Sequence, residues 1–277
     1  MTKSKILYIY SKQNLKNQGK KLRVKVLILT GYGINAEKEL KWGFELVGAK
    51  ADIVHIEDLI INKKRLFNYQ ILAFPGGFSY GDHIASGRIF GIRVKYTLFD
   101  ELKKFIEKKN LIIGICNGFQ IITKMGLLPN CAGNFVQEAS LVENDSGHFE
   151  DRWVWLKRGN STSCWLKDID KIYVPVRHGE GKFIVKDQNI LNMIVKECQI
   201  AFHYINPESE KVEYPFNPNG SVMNIAGITN REGNVLGLMP HPEAFIFEEN
   251  HPNWTEFKEK ERFTGLKILR NGVEYFL

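Results

Sequence analysis

Cys116 stands in Gly114-Ile115-Cys116-Asn117-Gly118-Phe119-Gln120, where an apolar run ends and a helical pattern of Ile121, Ile122 and Met125 begins. A cysteine in such a strand-to-helix turn is thrust out at the sheet edge, and the amides that open the helix favour thiolate over thiol. That is the placement of a nucleophile. The plain alternative for a lone cysteine is a small buried side chain closing a strand, so the chemistry requires partners. A cysteine nucleophile needs a base to take its proton and return it to a leaving amine, and the base needs a group that fixes its tautomer. His241 and Glu243, in Pro240-His241-Pro242-Glu243, fit those roles. At i and i+2 of an extended chain they project to one side, and the two prolines restrict the backbone between them. Pro75-Gly76-Gly77-Phe78-Ser79-Tyr80-Gly81-Asp82 is a glycine turn suited to presenting backbone amides. The amides of Gly77 and Asn117 are the candidate oxyanion-hole donors, and losing one such donor raises a barrier by about 3 to 4 kcal/mol. Taken singly, each feature has a structural explanation, as a satisfied loop histidine or a strand-ending turn. Together they describe nucleophilic attack on an amide.

The elements that must hold these residues are legible as periodicity. Val24 to Leu29 is a continuous apolar run closed by Thr30-Gly31-Tyr32-Gly33, the form of a buried first strand. A helix is expected from about Ala36, with Leu40, Phe44 and Val47 at helical spacing and Gly48 as its stop, before a second strand over Asp52 to Ile56. The third strand, Gln70 to Phe74, stops at Pro75-Gly76-Gly77. Val94, Leu98, Leu102, Phe105 and Ile106 then mark an amphipathic helix, and Leu111 to Ile115 is the fourth strand. Strands and helices alternating at this spacing predict an α/β fold, a mostly parallel central sheet with helices on both faces and functional loops at its carboxyl edge. From Trp153 the pieces shorten, with Trp153 to Leu156, Lys171 to Val174 and Gln199 to Tyr204 predicting an antiparallel extension. Asn224 to Thr229 and Asn234 to Met239 flank Asn230-Arg231-Glu232-Gly233 as a hairpin whose second strand delivers His241. Pro207 to Gly220 is expected to be a surface loop, the tail from Asn253 helical, and residues 1–22 a basic extension ahead of a single domain over 23–277.

Composition narrows the function classes. With 44% hydrophobic and 25% charged residues, the 277-residue chain reads as globular. No apolar run approaches the roughly 20 residues of a membrane helix, and the run Ile6 to Tyr10 is too short for a secretory signal. A soluble cytoplasmic protein is therefore expected. The cysteines at 116, 131, 164 and 198 lie far apart with no histidine at ligand spacing, which argues for reduced thiols and against a metal site. A formal charge of +7 would attract anions, but the basic residues are scattered with no aromatic interleaving, so nucleic acid is not an expected partner. No Gly-rich loop ending in lysine is present to cradle phosphates, so no cofactor is expected on this chain.

Five segments resemble one family. Ala73 to Asp82 (AFPGGFSYGD), Gly114 to Gln120 (GICNGFQ), Arg177 to Phe183 (RHGEGKF), Asn219 to Ile228 (NGSVMNIAGI) and Gly237 to Glu243 (GLMPHPE) are similar to the glutaminase subunits of phosphoribosylformylglycinamidine synthase, which are class I glutamine amidotransferases. The resemblance spans about residues 24 to 270. It implies a flavodoxin-like sheet with Cys116 as nucleophile, His241 as base and Glu243 as orienting carboxylate. The implied overall reaction converts formylglycinamide ribonucleotide, ATP and glutamine to formylglycinamidine ribonucleotide, ADP, phosphate and glutamate. This chain would supply only the ammonia; ATP and magnesium would bind a large synthase subunit, and a small third subunit would bridge the two. The resemblance further implies that Gln120 lies near the bound glutamine and that Asn144 and Asp145 touch its amino-acid end. Arg177, His178 and Glu180 would form a loop at the active site or subunit interface, which makes His178 the rival to His241 as base. Three stretches depart from the family pattern: the first turn, Leu29 to Glu37, lacks the usual Pro-Gly and Asn-Cys-Asp/Glu, Ala244-Phe245 follows Glu243 where arginine is common, and the basic leader before Val24 is extra. A class I amidotransferase serving another acceptor, and a non-catalytic scaffold subunit of the same fold, are the alternatives.

Overall fold

The computed structural model describes residues 23–82, 84–255 and 265–277, so the expected extension over 1–22 lies outside the described residues. Strands β1 (Lys25–Thr30), β3 (Ile71–Phe74) and β4 (Leu111–Ile115) are buried along most or all of their length. Sheets covered on both faces need apolar side chains on both, which is why these strands read as unbroken runs rather than alternations. With β2 (Lys50–His55) they pair in parallel in the order β2-β1-β3-β4. Four helices accompany them: α1 (Glu37–Leu46), α2 (Ile56–Ile61), α3 (Arg88–Glu107) and α4 (Asn117–Lys124). Val94, Leu98, Leu102, Phe105 and Ile106, whose spacing predicts a buried stripe, are buried on α3 together with Phe90.

The hairpin follows, with β11 (Val235–Leu238) parallel to β4 and β10 (Ile225–Thr229) antiparallel to β11. Beyond them β9 (Ile200–Ile205), β6 (Glu150–Arg158) and β7 (Lys171–His178) continue antiparallel, so the nine-stranded sheet runs β2-β1-β3-β4-β11-β10-β9-β6-β7. A separate ribbon pairs β5 (Ala139–Val142) with β8 (Lys182–Val185), and α5 (Gln188–Lys196) and α6 (Leu266–Glu274) complete the described elements. The chain leaves β1 toward β2 on one side and returns to β3 on the other. The loops after β1, β3, β4 and β11 thus gather at the switch point, where open α/β sheets build their sites.

Two expectations change. Residues 251–255 form turns and the tail helix starts at Leu266, with 256–264 outside the described residues. Pro207 to Gly220 is not wholly surface, because Asn217 and Asn219 are buried; their inward amides satisfy the backbone at Gly220 and Ser221.

Helix α4 sits so close to β3 that a Cβ on Gly118 would run into the Phe74 carbonyl. Gly118→Ala is expected to lower the unfolding free energy by about 1 to 3 kcal/mol, the usual cost of overpacking. It should appear as a lower urea midpoint at an unchanged slope, and an unaltered midpoint would mean that α4 can slide off β3.

Candidate active site

Cys116 occupies the elbow between β4 and α4 at φ 52°, ψ −109°, outside the regions a side chain prefers. Such strain costs about 1–3 kcal/mol and persists only where the surroundings over-determine it. Here the Cys116 N–H donates to the Leu238 carbonyl at 2.8 Å. A Cβ on Gly114 would stand 2.7 Å from the Gly118 carbonyl, so both glycines are needed for the turn to close. The cysteine is 6% exposed, and its sulfur lies 3.5 Å from the Arg177 carbonyl.

His241 and Glu243 follow β11, but not as the extended pair that their spacing predicted. Pro242–Ala244 forms a 3-10 turn, which curls Glu243 back so that its Oε1 lies 2.6 Å from His241 Nδ1. A carboxylate only accepts, so Nδ1 carries the proton and Nε2 is left for chemistry. Both residues are buried, and Nε2 has no hydrogen-bond partner. The residue is fixed by its backbone N–H, which donates to the Pro175 carbonyl at 2.8 Å, and the ring is backed by Gly76, where a Cβ would stand 2.8 Å from Cε1. Burial by itself would lower the pKa of His241; the Glu243 carboxylate, then the Cys116 sulfur, outweigh it and raise the pKa. Sulfur and ring interact without a hydrogen bond of ordinary geometry, a common state before substrate arrives.

The glycine turn after β3 meets the elbow. Among the described residues, no protein acceptor takes the N–H of Gly77 or of Asn117, which leaves both free as donors. The turn is tied down by side chains instead: the Ser79 N–H donates to Asn117 Oδ1 at 3.3 Å, and Asn117 Nδ2 to Gln120 Oε1 at 2.8 Å. Gln120 Nε2 in turn donates to the Glu180 carbonyl at 2.6 Å. Gln120 thus spends both ends of its amide joining the turn, the elbow and the loop 177–181. Glu180 reaches further, its Oε2 accepting from the Ser86 N–H at 3.2 Å.

His178 is as buried as His241 but differently committed. Asn144 Nδ2 donates to the carbonyls of His148 and His178, which fixes Asn144 Oδ1 as an acceptor for Gly181 N–H and His178 Nδ1. Nδ1 therefore bears the proton, and Nε2 faces Asn219 Nδ2 at 3.5 Å. Burial, then the neighbouring His241, push the His178 pKa down to about 3, so the ring is neutral and its nitrogens are engaged. Arg177 pairs with Glu39 at 3.7 Å, and Asp145 pairs with Lys182. Asn144 thus braces the His178 loop, with both ends of its amide used. Among the described residues, no group of three or more His, Cys, Asp or Glu side chains could hold a metal ion.

Sequence reasoning passed over Asn219 and Tyr204. The Tyr204 hydroxyl accepts from Asn219 Nδ2 at 3.1 Å, and burial raises its pKa. Asn219 opens one of the five resembling segments, and that was its only signal. Gly76, which backs His241, was visible only as half of a glycine pair.

The sequence matches the family described as CobB/CobQ-like glutamine amidotransferase domain over residues 23–276. The phosphoribosylformylglycinamidine synthase subunit PurQ of Methanococcus maripaludis strain C7 is 43% identical over 265 residues, covering 91% of this chain and 97% of that one. Its counterpart in Dehalococcoides mccartyi is 41% identical, covering 91% and 98%. Among solved structures, a chain of PurLQS from Thermotoga maritima superposes with a TM-score of 0.70 at 27% identity, covering 92% of this chain and all of that one. With a match from residue 23 to residue 276 and relatives above 40% identity along nearly their whole length, the chain belongs to the glutamine amidotransferase family that contains the PurQ subunits of phosphoribosylformylglycinamidine synthase.

Proposed function

We propose that this chain is the glutaminase subunit of phosphoribosylformylglycinamidine synthase, with Cys116 as nucleophile, His241 as base and acid, and Glu243 as the carboxylate orienting His241. One observation carries the assignment: a cysteine held at φ 52° in a strand-to-helix elbow beside a buried histidine whose Nδ1 is 2.6 Å from a carboxylate. In the acylation step Cys116 gives its proton to His241 Nε2 as the sulfur bonds to the glutamine carboxamide carbon. The N–H groups of Gly77 and Asn117 hold the resulting oxyanion. His241 then protonates the leaving nitrogen, the C–N bond breaks, and ammonia departs from a thioester. Water, deprotonated by His241, attacks the thioester; glutamate leaves and the cysteine is restored, so glutamine and water give glutamate and ammonia.

Asn117 and Gln120 serve as positioning residues, because their side chains are spent on joining the three loops. Ammonia passes to a large synthase subunit carrying ATP, magnesium and the ribonucleotide, with a small bridging subunit completing the complex. PurLQS of Thermotoga maritima, whose chain this one resembles, supports such an assembly. Cytoplasmic operation fits this role; among the described residues no helix is long and apolar enough to cross a membrane.

The test is glutamate release from glutamine by the chain alone and with its synthase partner and the ribonucleotide acceptor. Release should rise about tenfold or more on assembly, since completing the site by docking prevents wasteful hydrolysis. No release from a verified complex would favour the scaffold alternative.

A further inference from the structure

The first turn, which departs from the family pattern, is joined to the oxyanion turn along its whole length. Asn35 and Ala36 N–H both donate to the Gly76 carbonyl, Phe78 N–H to that of Gly33 at 2.9 Å, and Tyr80 N–H to that of Tyr32 at 2.7 Å. Ile34 and Gly77 form a β-bridge, and a Cβ on Gly77 would stand 2.7 Å from the Gly33 carbonyl. Wherever the first turn sits, the Gly77 N–H follows. Tyr32 (φ 28°) and Tyr80 (φ 57°) both hold left-handed backbone, which bulky residues avoid. Their rings stack at 4.9 Å, so one tyrosine fastens the other. The stack is anchored from outside the site: the Tyr32 hydroxyl donates to Glu57 Oε1 at 3.0 Å, and Arg93 Nη2 pairs with Glu57 Oε2 at 2.6 Å. The Arg93 guanidinium also lies 5.8 Å from the Tyr32 ring centre. Glu57 belongs to α2 and Arg93 to α3, so two helices outside the elbow and the oxyanion turn grip the first turn.

We propose that Tyr32, anchored by Glu57 and Arg93, is a positioning residue that fixes the Gly77 N–H as oxyanion donor; this rests on the glutaminase assignment above. Preorganised donors lose effect steeply when misplaced. At saturating synthase partner, Tyr32→Ala is expected to lower kcat for glutamate release by about 10- to 100-fold while KM for glutamine stays within about twofold. Inhibition by glutamate γ-semialdehyde should weaken in parallel, because the Cys116 thiol adds across its carbonyl to give an adduct that needs the same donor. Alkylation of Cys116 by iodoacetamide, which makes no oxyanion, should keep its wild-type rate. Tyr32→Phe retains the stack but loses the hydroxyl bond to Glu57, so its fall in kcat should be milder than that of Tyr32→Ala. Should Tyr32→Ala fail to fold, Glu57→Ala removes the anchor alone and should reproduce the fall in kcat at unchanged KM in milder form. Wild-type kcat in these variants, or alkylation falling together with kcat, overturns the positioning role. An inactive wild-type complex would instead overturn the glutaminase assignment itself.

Discussion

Replacing Cys116 by alanine is expected to abolish glutamate release while leaving synthesis from added ammonia within about twofold of wild type. Removing a nucleophile that acts as a unit with its base costs about 10^4- to 10^6-fold in turnover, far beyond any effect of packing. The sulfur is small and lies at a loop junction, so alanine keeps the elbow; Cys116→Ser, which also keeps the shape, guards against collapse of the strained turn at φ 52°. The two activities separate because Cys116, His241 and Glu243 lie on this chain, whereas the ammonia acceptor is assigned to the synthase subunit. Both reactions are measured on the assembled complex, one as glutamate formed from glutamine, the other as product formed from ammonium salt and ATP. Equal loss of the two would mean that the elbow shapes the synthase rather than feeding it, and the division of labour would fail.

The parallel half was legible because strands covered on both faces carry continuous apolar runs: Leu111 to Ile115 was placed to the residue, and α3 followed from its stripe. The elbow was legible for a related reason, since a strand can turn into a helix this tightly only with glycine on either side of the nucleophile. What sequence could not give was the hydrogen-bond wiring. His178 and His241 both lie in motif-like segments; the spacing to Glu243 favoured His241, but nothing in the sequence says how the nitrogens of His178 are engaged. The distinction comes from Asn144 and Asn219, far from His178 along the chain, which occupy both nitrogens of its ring, while burial, then the neighbouring His241, keep that ring neutral. Asn219 was hidden in a segment of prolines and asparagines that reads as solvated, because local composition cannot reveal that an amide turns inward to satisfy a buried ring. Likewise the i, i+2 spacing of His241 and Glu243 predicted an extended pair, whereas a 3-10 turn brings the two side chains together.

Glu243→Gln is expected to lower kcat by about 10^2- to 10^4-fold, between the usual worth of general acid–base catalysis and the roughly 10^4-fold cost of neutralising the group that fixes a catalytic imidazole's tautomer. In the native site Glu243 Oε1 can only accept, which commits His241 Nδ1 to donating and keeps Nε2 available to Cys116. A glutamine amide can present its NH2 to Nδ1, which would place the proton on Nε2, the wrong nitrogen for taking one from the thiol. The same substitution has a pH signature with a definite sign. Burial opposes the charged ring, and the carboxylate is the largest of the influences that overcome it. Without the carboxylate the His241 pKa falls, so the alkaline limb, where the imidazolium that protonates departing ammonia is lost, moves to lower pH. Stability responds through the same linkage. A histidine whose pKa is raised on folding contributes in full below its unfolded value of about 6.5, and the contribution is lost as pH rises through the folded value. The urea-unfolding advantage of wild type over Glu243→Gln should therefore be largest at about pH 6 and shrink toward alkaline pH. A small fall in kcat with an unmoved alkaline limb would leave His241 oriented by its backbone bond to Pro175 and by Gly76, with Glu243 a bystander.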